Sequence, residues 1–91
     1  IVGESVTASD LKKILLAFNR ADVERLIDIK TIHLGPDEIM IAAKIDLLDT
    51  QEARGYAIIN EIEAAIRQEL AGKKAYIYIE TDKYDPNYYR E

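Results

Sequence analysis

Two stretches of the chain place apolar residues three or four positions apart, which is the spacing of an amphipathic helix. The first predicts a helix over about residues 8–20, capped at its N-terminus by Thr7 or Ser9. The apolar stripe of this first helix is Leu11, Ile14, Leu15 and Phe18. The second predicts a helix that begins at Asp49 or Thr50 and ends at Gly72. The apolar stripe of this second helix is Ile59, Ile62, Ile66 and Leu70.

Two further residues, Glu52 and Gly55, each add a prediction about the second helix. Glu52 follows Asp49 by three positions, the spacing of a capping box, which predicts that these side chains close the helix N-terminus. Gly55 falls on the apolar face. A glycine inside a helix costs about 1 kcal/mol relative to alanine. We therefore expect Gly55 to allow close packing of the helix on a sheet.

Three other stretches alternate apolar and polar residues, as half-buried strands do. The first lies within residues 23–34 and the second within residues 39–47, and the turn sequence Gly-Pro-Asp-Glu joins them as an antiparallel hairpin. The third runs from about Lys74 to Thr81. Because the second predicted helix joins the second and third strands, those two strands are expected to be parallel, with a right-handed crossover.

The predicted order is therefore helix, strand, strand, helix, strand. We expect an α+β fold of the ferredoxin-like or metallochaperone-like type, with a three-stranded mixed sheet and both helices on one face. A length of 91 residues fits a single domain. Within it we distinguish a lead-in over residues 1–6, a core over residues 7–82 and a tail over residues 83–91.

Helices on one face leave the other face of the sheet uncovered. The core face is predicted to carry Ile27, Ile29, Ile39, Ile41, Ile45, Ile77 and Ile79. The opposite face mixes apolar with charged positions, namely Ile32, Met40, Ala42, Tyr76 and Tyr78 among Asp28, Lys30, Lys44, Asp46 and Glu80. Tyrosine and methionine are enriched at interfaces, so a homodimer contact is predicted at Met40, Ala42, Tyr76 and Tyr78. The alternative is that the tail tyrosines Tyr84, Tyr88 and Tyr89 fold back over this face.

Composition narrows the function classes. Seventeen acidic against 12 basic residues give a net charge of −5, a poor match for a nucleic-acid backbone. The sequence has no cysteine, which excludes disulfides and thiolate metal sites. With one histidine and no glycine-rich phosphate loop, the sequence gives no support for an enzyme.

Two groups of side chains are candidate metal ligands. The first is an acidic pair, Glu80 and Asp82, at one end of the third strand. Oxygen-only clusters of this kind bind hard ions, or transition metals weakly. The second is His33, near the hairpin turn, which lacks the several nitrogen or sulfur donors that zinc prefers. No tightly held cofactor is expected, and a divalent metal such as zinc is expected to bind weakly at most.

Three segments resemble the cytoplasmic C-terminal domain of cation diffusion facilitator (cation efflux) transporters. They are the opening residues 1–5 (IVGES), the hairpin residues 29–38 (IKTIHLGPDE) and the last-strand residues 77–82 (IYIETD). The resemblance covers roughly residues 1–85. It implies the soluble regulatory and dimerisation domain of a six-helix membrane protein that exports zinc or a similar divalent cation in exchange for protons. The lack of an initiator methionine before Ile1 fits that reading.

The resemblance also implies partners, a location and a ligand set. The partners are a second copy, the transmembrane domain of the same chain and divalent cations, on the cytoplasmic side of the membrane. The family's metal ligands fall at Ile27, Lys44, Tyr56 and residues 80–82, where Asp82 alone matches in type and Glu80 is a carboxylate replacement. A lysine among these positions opposes cation binding. The alternative function is a free-standing ferredoxin-like module that senses a small ligand or metal.

Overall fold

The computed structural model describes residues 6–89, apart from the side chain of Tyr89. The elements in chain order are α1 (Ala8–Phe18), β1 (Val23–Gly35), β2 (Glu38–Leu47), a 3₁₀ turn (Asp49–Arg54), α2 (Gly55–Glu69), β3 (Lys74–Thr81) and α3 (Pro86–Tyr89). The predicted order and fold class are confirmed. Most of the predicted lead-in and the end of the predicted tail lie outside the described residues, and the domain boundaries stay predictions.

The sheet has the predicted mixed topology. Its strand order is β1-β2-β3, with β1 antiparallel to β2 and β2 parallel to β3. The hairpin closes where Gly35 pairs with Glu38, at the predicted turn. The return from α2 to β3 passes through Gly72, whose φ of 92° is the left-handed conformation expected of a helix-ending glycine.

The core lies between β2 and the two helices. Its fully buried side chains are seven residues of one type: Ile14, Ile39, Ile41, Ile45, Ile58, Ile62 and Ile66. Strand β2 supplies every second residue to it, as its alternation predicts. In α2 the buried stripe contains Ile58, whereas Ile59, which the sequence pattern favoured, is half-buried.

One core prediction on β1 is wrong. The pairing of β1 with β2 is irregular between Leu26 and Asp28, so that Ile27 lies in a bulge. The bulge shifts the alternation by one residue. Leu26 therefore packs against the core together with Ile29, and Ile27 does not.

Helix α1 begins as predicted at Thr7, whose Oγ1 accepts a hydrogen bond from the Asp10 backbone N–H at 3.1 Å. Of the four residues predicted for its buried stripe, Leu11, Ile14 and Phe18 pack in or against the core, and Leu15 does not. Asp10, Ile14 and Phe18, spaced four apart, face the core, while Leu15 is 39% exposed. Burial of Asp10 is possible because the Lys73 ammonium lies 2.6 Å from its carboxylate.

Two predictions about the second helix are wrong, namely the capping box and the need for glycine at residue 55. Asp49 and Glu52 do not cap the 3₁₀ turn, because the ammonium of Lys83 binds both carboxylates. A Cβ at Gly55 would lie 3.9 Å from Leu47 Cδ1, which is ordinary van der Waals contact. Glycine is therefore not needed there for close packing. Within residues 6–89, no helix has the length and apolarity needed to cross a membrane.

Candidate functional site: the open face and its acidic end

The face of the sheet opposite the helices, called the open face below, carries the residues that the alternation predicted. Side chains of paired residues lie side by side across the three strands and form rows. From the hairpin turn towards the tail these rows are Ile32–Met40–Tyr76, Lys30–Ala42–Tyr78 and Asp28–Lys44–Glu80. Tyr78 is 61% exposed, and Met40 and Tyr76 are half-buried. The four predicted interface residues therefore lie together on one surface.

The open face has an apolar row near the hairpin turn and a charged end on the opposite side of the sheet. Near the hairpin turn, Ile32, Met40 and Tyr76 form the apolar row, and the Lys74 ammonium lies 5.1 Å from the centroid of the Tyr76 ring. At the charged end, the Lys44 ammonium bridges Glu80 and Asp82. An apolar row with ion pairs beside it resembles the core and rim of a protein interface.

The two predicted acidic ligands share a lysine. The Lys44 Nζ lies 3.4 Å from Glu80 Oε1 and 3.8 Å from Asp82 Oδ2. The structure thus brings Glu80 and Asp82 together, with a cation already between them. A divalent ion bound there would have to displace or repel this ammonium. Among residues 6–89, no three histidine, aspartate or glutamate side chains form a group able to hold a metal ion.

The structure does not bring His33 to the acidic pair. His33 pairs with Ile39 at the hairpin end, and its Nδ1 lies 3.3 Å from the Gly35 carbonyl oxygen. The Asp82 N–H donates to the Ile45 carbonyl at the opposite end of β2. Six residues of strand separate the two positions, about 20 Å at 3.3 Å per residue. His33 and Asp82 of one chain cannot share an ion.

Tyr84, in the described part of the tail, covers the charged end of the open face. The Tyr84 ring lies against the Arg25 guanidinium, 4.0 Å from ring centroid to Cζ, and the Tyr84 N–H donates to Asp46 Oδ2 at 3.1 Å. Tyr88 is 76% exposed. The alternative in which tail tyrosines fold back over the open face is therefore correct for Tyr84. The row that contains Met40 lies at the other end of the sheet, away from Tyr84.

Lys83 was expected from the sequence to pair with nearby acidic residues such as Asp46, but its binding to Asp49 and Glu52 was not. Its ammonium contacts the carboxylates of Asp46, Asp49 and Glu52 and lies 3.3 Å from the Leu47 carbonyl oxygen. Hydrogen bonds to Asp49 and Glu52 raise the pKa of Lys83, so the side chain stays charged at any physiological pH. These contacts fix the chain leaving β3 to the turn that precedes α2. The acidic residues were visible in the sequence, but their distance from Lys83 along the chain concealed the cluster.

No protein-family model and no curated protein sequence matches this chain. Solved structures do match it. The nickel form of a MamM C-terminal domain variant has a TM-score of 0.70 and 14% identity, covering 87% of this chain and 100% of that one. The zinc form of the same variant has a TM-score of 0.69 and 14% identity, covering 85% of each chain.

A third match is the C-terminal domain of MamB, a magnetosome protein of Desulfamplus magnetovallimortis BW-1. Its TM-score is 0.69 at 14% identity, and the alignment covers 85% of this chain and 95% of that one. This chain therefore has the fold of the MamM and MamB C-terminal domains.

Proposed function

We propose that this chain is the cytoplasmic regulatory and dimerisation domain of a cation diffusion facilitator transporter, which exports zinc or a similar divalent cation in exchange for protons. The observation that carries the proposal is the open face, an apolar row with Met40 at its centre on a fold shared with MamM and MamB C-terminal domains. The three sequence segments that resemble the family lie in the corresponding order. The domain acts by binding a second copy and carries out no catalysis of its own.

In this proposal two copies meet through their open faces about a two-fold axis, the commonest symmetry of homo-oligomers. The apolar row supplies area that is unfavourable to leave in water. The ion pairs of Lys44 lie beside it, as charged groups do at an interface rim. In the full-length protein, attachment to a common membrane portion would raise the local concentration of the two domains.

Replacing Met40 with aspartate is expected to weaken the dimer at least about tenfold, because it buries a charge in the apolar row. Sedimentation of the 91-residue chain over a concentration series measures the effect. Leu16→Asp is the matched control, since Leu16 is an exposed leucine on α1, on the helix side of the sheet. A monomeric wild-type chain at every concentration, or equal weakening by both variants, would contradict the proposed interface.

The proposal also includes a weak metal site at Glu80 and Asp82. Two carboxylates that already share the Lys44 ammonium offer a divalent cation little net attraction. We expect calorimetry to show zinc binding in the micromolar range or weaker, by comparison with oxygen-only sites. Bound zinc would reduce the repulsion between acidic groups of facing copies and draw the subunits together, which would make the domain a sensor.

Substitution of Lys44 tests whether zinc binds at Glu80 and Asp82. Lys44→Met removes the competing ammonium and is expected to strengthen zinc binding about tenfold. Lys30→Met is its control, because Lys30 is a neighbouring lysine on the same face whose ion pair is with Asp28. Nanomolar zinc binding that survives the double change Glu80→Ala and Asp82→Ala would show that the metal site lies elsewhere.

A further inference from the structure

The two outer edges of the sheet differ in regularity. The pairing of β1 with β2 is irregular at three places, and bulges of this kind bend a strand and discourage another strand from adding to its outer edge. Strand β3 pairs with β2 without a break from Lys74 to Thr81. It contains no proline, and the described part of the chain places no strand on its other side. The β3 edge is therefore the one suited to accept another strand.

The backbone groups that this edge presents can be assigned. The N–H groups of Lys74 and Asp82 both donate to β2, to the carbonyls of Asp37 and Ile45. Successive residues of a strand direct their hydrogen-bonding groups to alternate sides. Even-numbered residues of β3 therefore bond to β2. The odd-numbered residues Ala75, Ile77 and Ile79 direct their N–H and C=O groups to the outer edge.

The first residues of the tail, Lys83 and Tyr84, lead away from this edge. After β3 the chain turns towards the opposite side of the sheet, where Lys83 binds the 3₁₀ turn and Tyr84 packs on Arg25 of β1. The backbone of Tyr84 is held at Asp46 of β2. The chain that follows β3 thus crosses the end of the sheet away from the edge.

We propose that β3 pairs with β3 of a second copy, antiparallel and centred on Ile77, so that two sheets join into one sheet of six strands. In this register Ile77 faces its own copy and Ala75 faces Ile79, and all three are outward-bonding residues. On the open face, Lys74 lies opposite Glu80 and Tyr76 lies opposite Tyr78. The two-fold axis repeats each of these pairs.

The charge pairs and the aromatic pairs together favour this register and a second copy as the partner. Cross-strand pairs of opposite charge and of aromatic residues both stabilise antiparallel strands. Centring on Tyr78 would also give an opposite-charge pair, Lys74 with Asp82, but would place Tyr76 opposite Glu80. Centring on Tyr76 would place Lys74 opposite Tyr78. Among these three registers, the Ile77-centred one alone combines an opposite-charge pair with two Tyr76–Tyr78 pairs. A strand of this composition is thus complementary to itself.

The edge contact is separate from the open-face dimer of the proposed function and does not depend on it. It uses outward backbone groups of β3, whereas the open-face dimer centres on Met40 of β2. A chain that makes both contacts would form a dimer of dimers.

Amide hydrogen exchange by NMR tests the edge contact. The N–H groups of Tyr76 and Tyr78 bond to β2 and are expected to exchange slowly at every protein concentration. Those of Ala75, Ile77 and Ile79 are expected to exchange fast in dilute solution and at least about tenfold more slowly at high concentration. Equal exchange of the odd-numbered amides at both concentrations would overturn the proposal. In Met40→Asp the odd-numbered protection should persist, which separates this test from that of the open-face dimer.

Two further variants test the bonds and the register. Ala75→Pro removes an outward N–H and should abolish the concentration-dependent protection of Ile79, whereas Ala75→Val keeps that N–H and should preserve it. Lys74→Glu places like charges opposite each other and should weaken association, and adding Glu80→Lys should restore it. Circular dichroism checks that each variant is folded. Failure of the double charge swap to restore association would overturn the Ile77-centred register.

Discussion

Replacing Ile62 with alanine is expected to lower the free energy of unfolding by about 2–5 kcal/mol. Ile62 is fully buried and is the middle residue of the buried α2 stripe. The loss has two parts, the transfer free energy of the deleted atoms and the cavity that they leave. Because the domain is small, this is a large fraction of its total stability. Urea unfolding at a fixed protein concentration, followed by circular dichroism, measures the change.

Ile59 provides the matched control, since it lies on the same helix but is only half-buried. Ile59→Ala deletes the same atoms and is expected to cost clearly less than Ile62→Ala, because solvent already reaches part of the side chain. An equal loss for the two variants would contradict the orientation of α2, in which Ile62 faces the sheet.

The second large effect is expected at the ion pair between Asp10 and Lys73. Asp10 is 8% exposed, and its Oδ2 lies 2.6 Å from the Lys73 ammonium. The pair joins the first turn of α1 to the chain that enters β3. Asp10→Asn keeps the shape and removes the charge, at an expected cost of about 1.5–3 kcal/mol, the range for hydrogen bonds to charged groups. Glu63→Gln breaks the more exposed pair with Arg67 and should cost less than about 1 kcal/mol.

The Asp10 contribution has a defined pH dependence. The hydrogen bond from Lys73 lowers the pKa of Asp10, against the opposing effect of burial. A carboxyl whose pKa is lower in the folded state contributes fully above its unfolded pKa, about 3.9, and loses the contribution as pH falls through the folded pKa. The stability difference between wild type and Asp10→Asn should therefore be constant near neutral pH and shrink in acid. A difference independent of pH down to about 2 would contradict this ion pair.

The fold was predictable because its elements are defined by local patterns. The spacing of Ile62 and Ile66 predicts a helix, the alternation around Ile41 predicts a strand, and Gly72 predicts the helix end. The bulge at Ile27 was not predictable, because Ile27 and Ile29 continue the alternation and only the pairing with β2 breaks it. A periodic pattern records the face of a strand but not a register shift against its neighbour.

The residues of the candidate site, like those of the fold, could be predicted only in part. The open-face residues Met40 and Tyr76 followed from alternation and strand order, both of which the structure confirms. The burial of Asp10 and the binding of Lys83 to Asp49 and Glu52 did not follow. These contacts join charged residues that are far apart in sequence, and a charge has no periodicity that identifies its partner. Such pairs can be found only once the topology brings the elements together.

The most direct test of the account is methyl NMR of the 91-residue chain across a dilution series. If two copies meet through their open faces, the methyl signals of Ile32, Met40 and Ala42 should shift with concentration, and those of Leu16 and Ala64 on the helix side should not. Ile32 lies on β1, two strands away from the β3 edge, so the edge contact does not account for its shift. Concentration-dependent shifts confined to the helix side, or none on the open face at any concentration, would contradict the proposal that this domain dimerises through its open face.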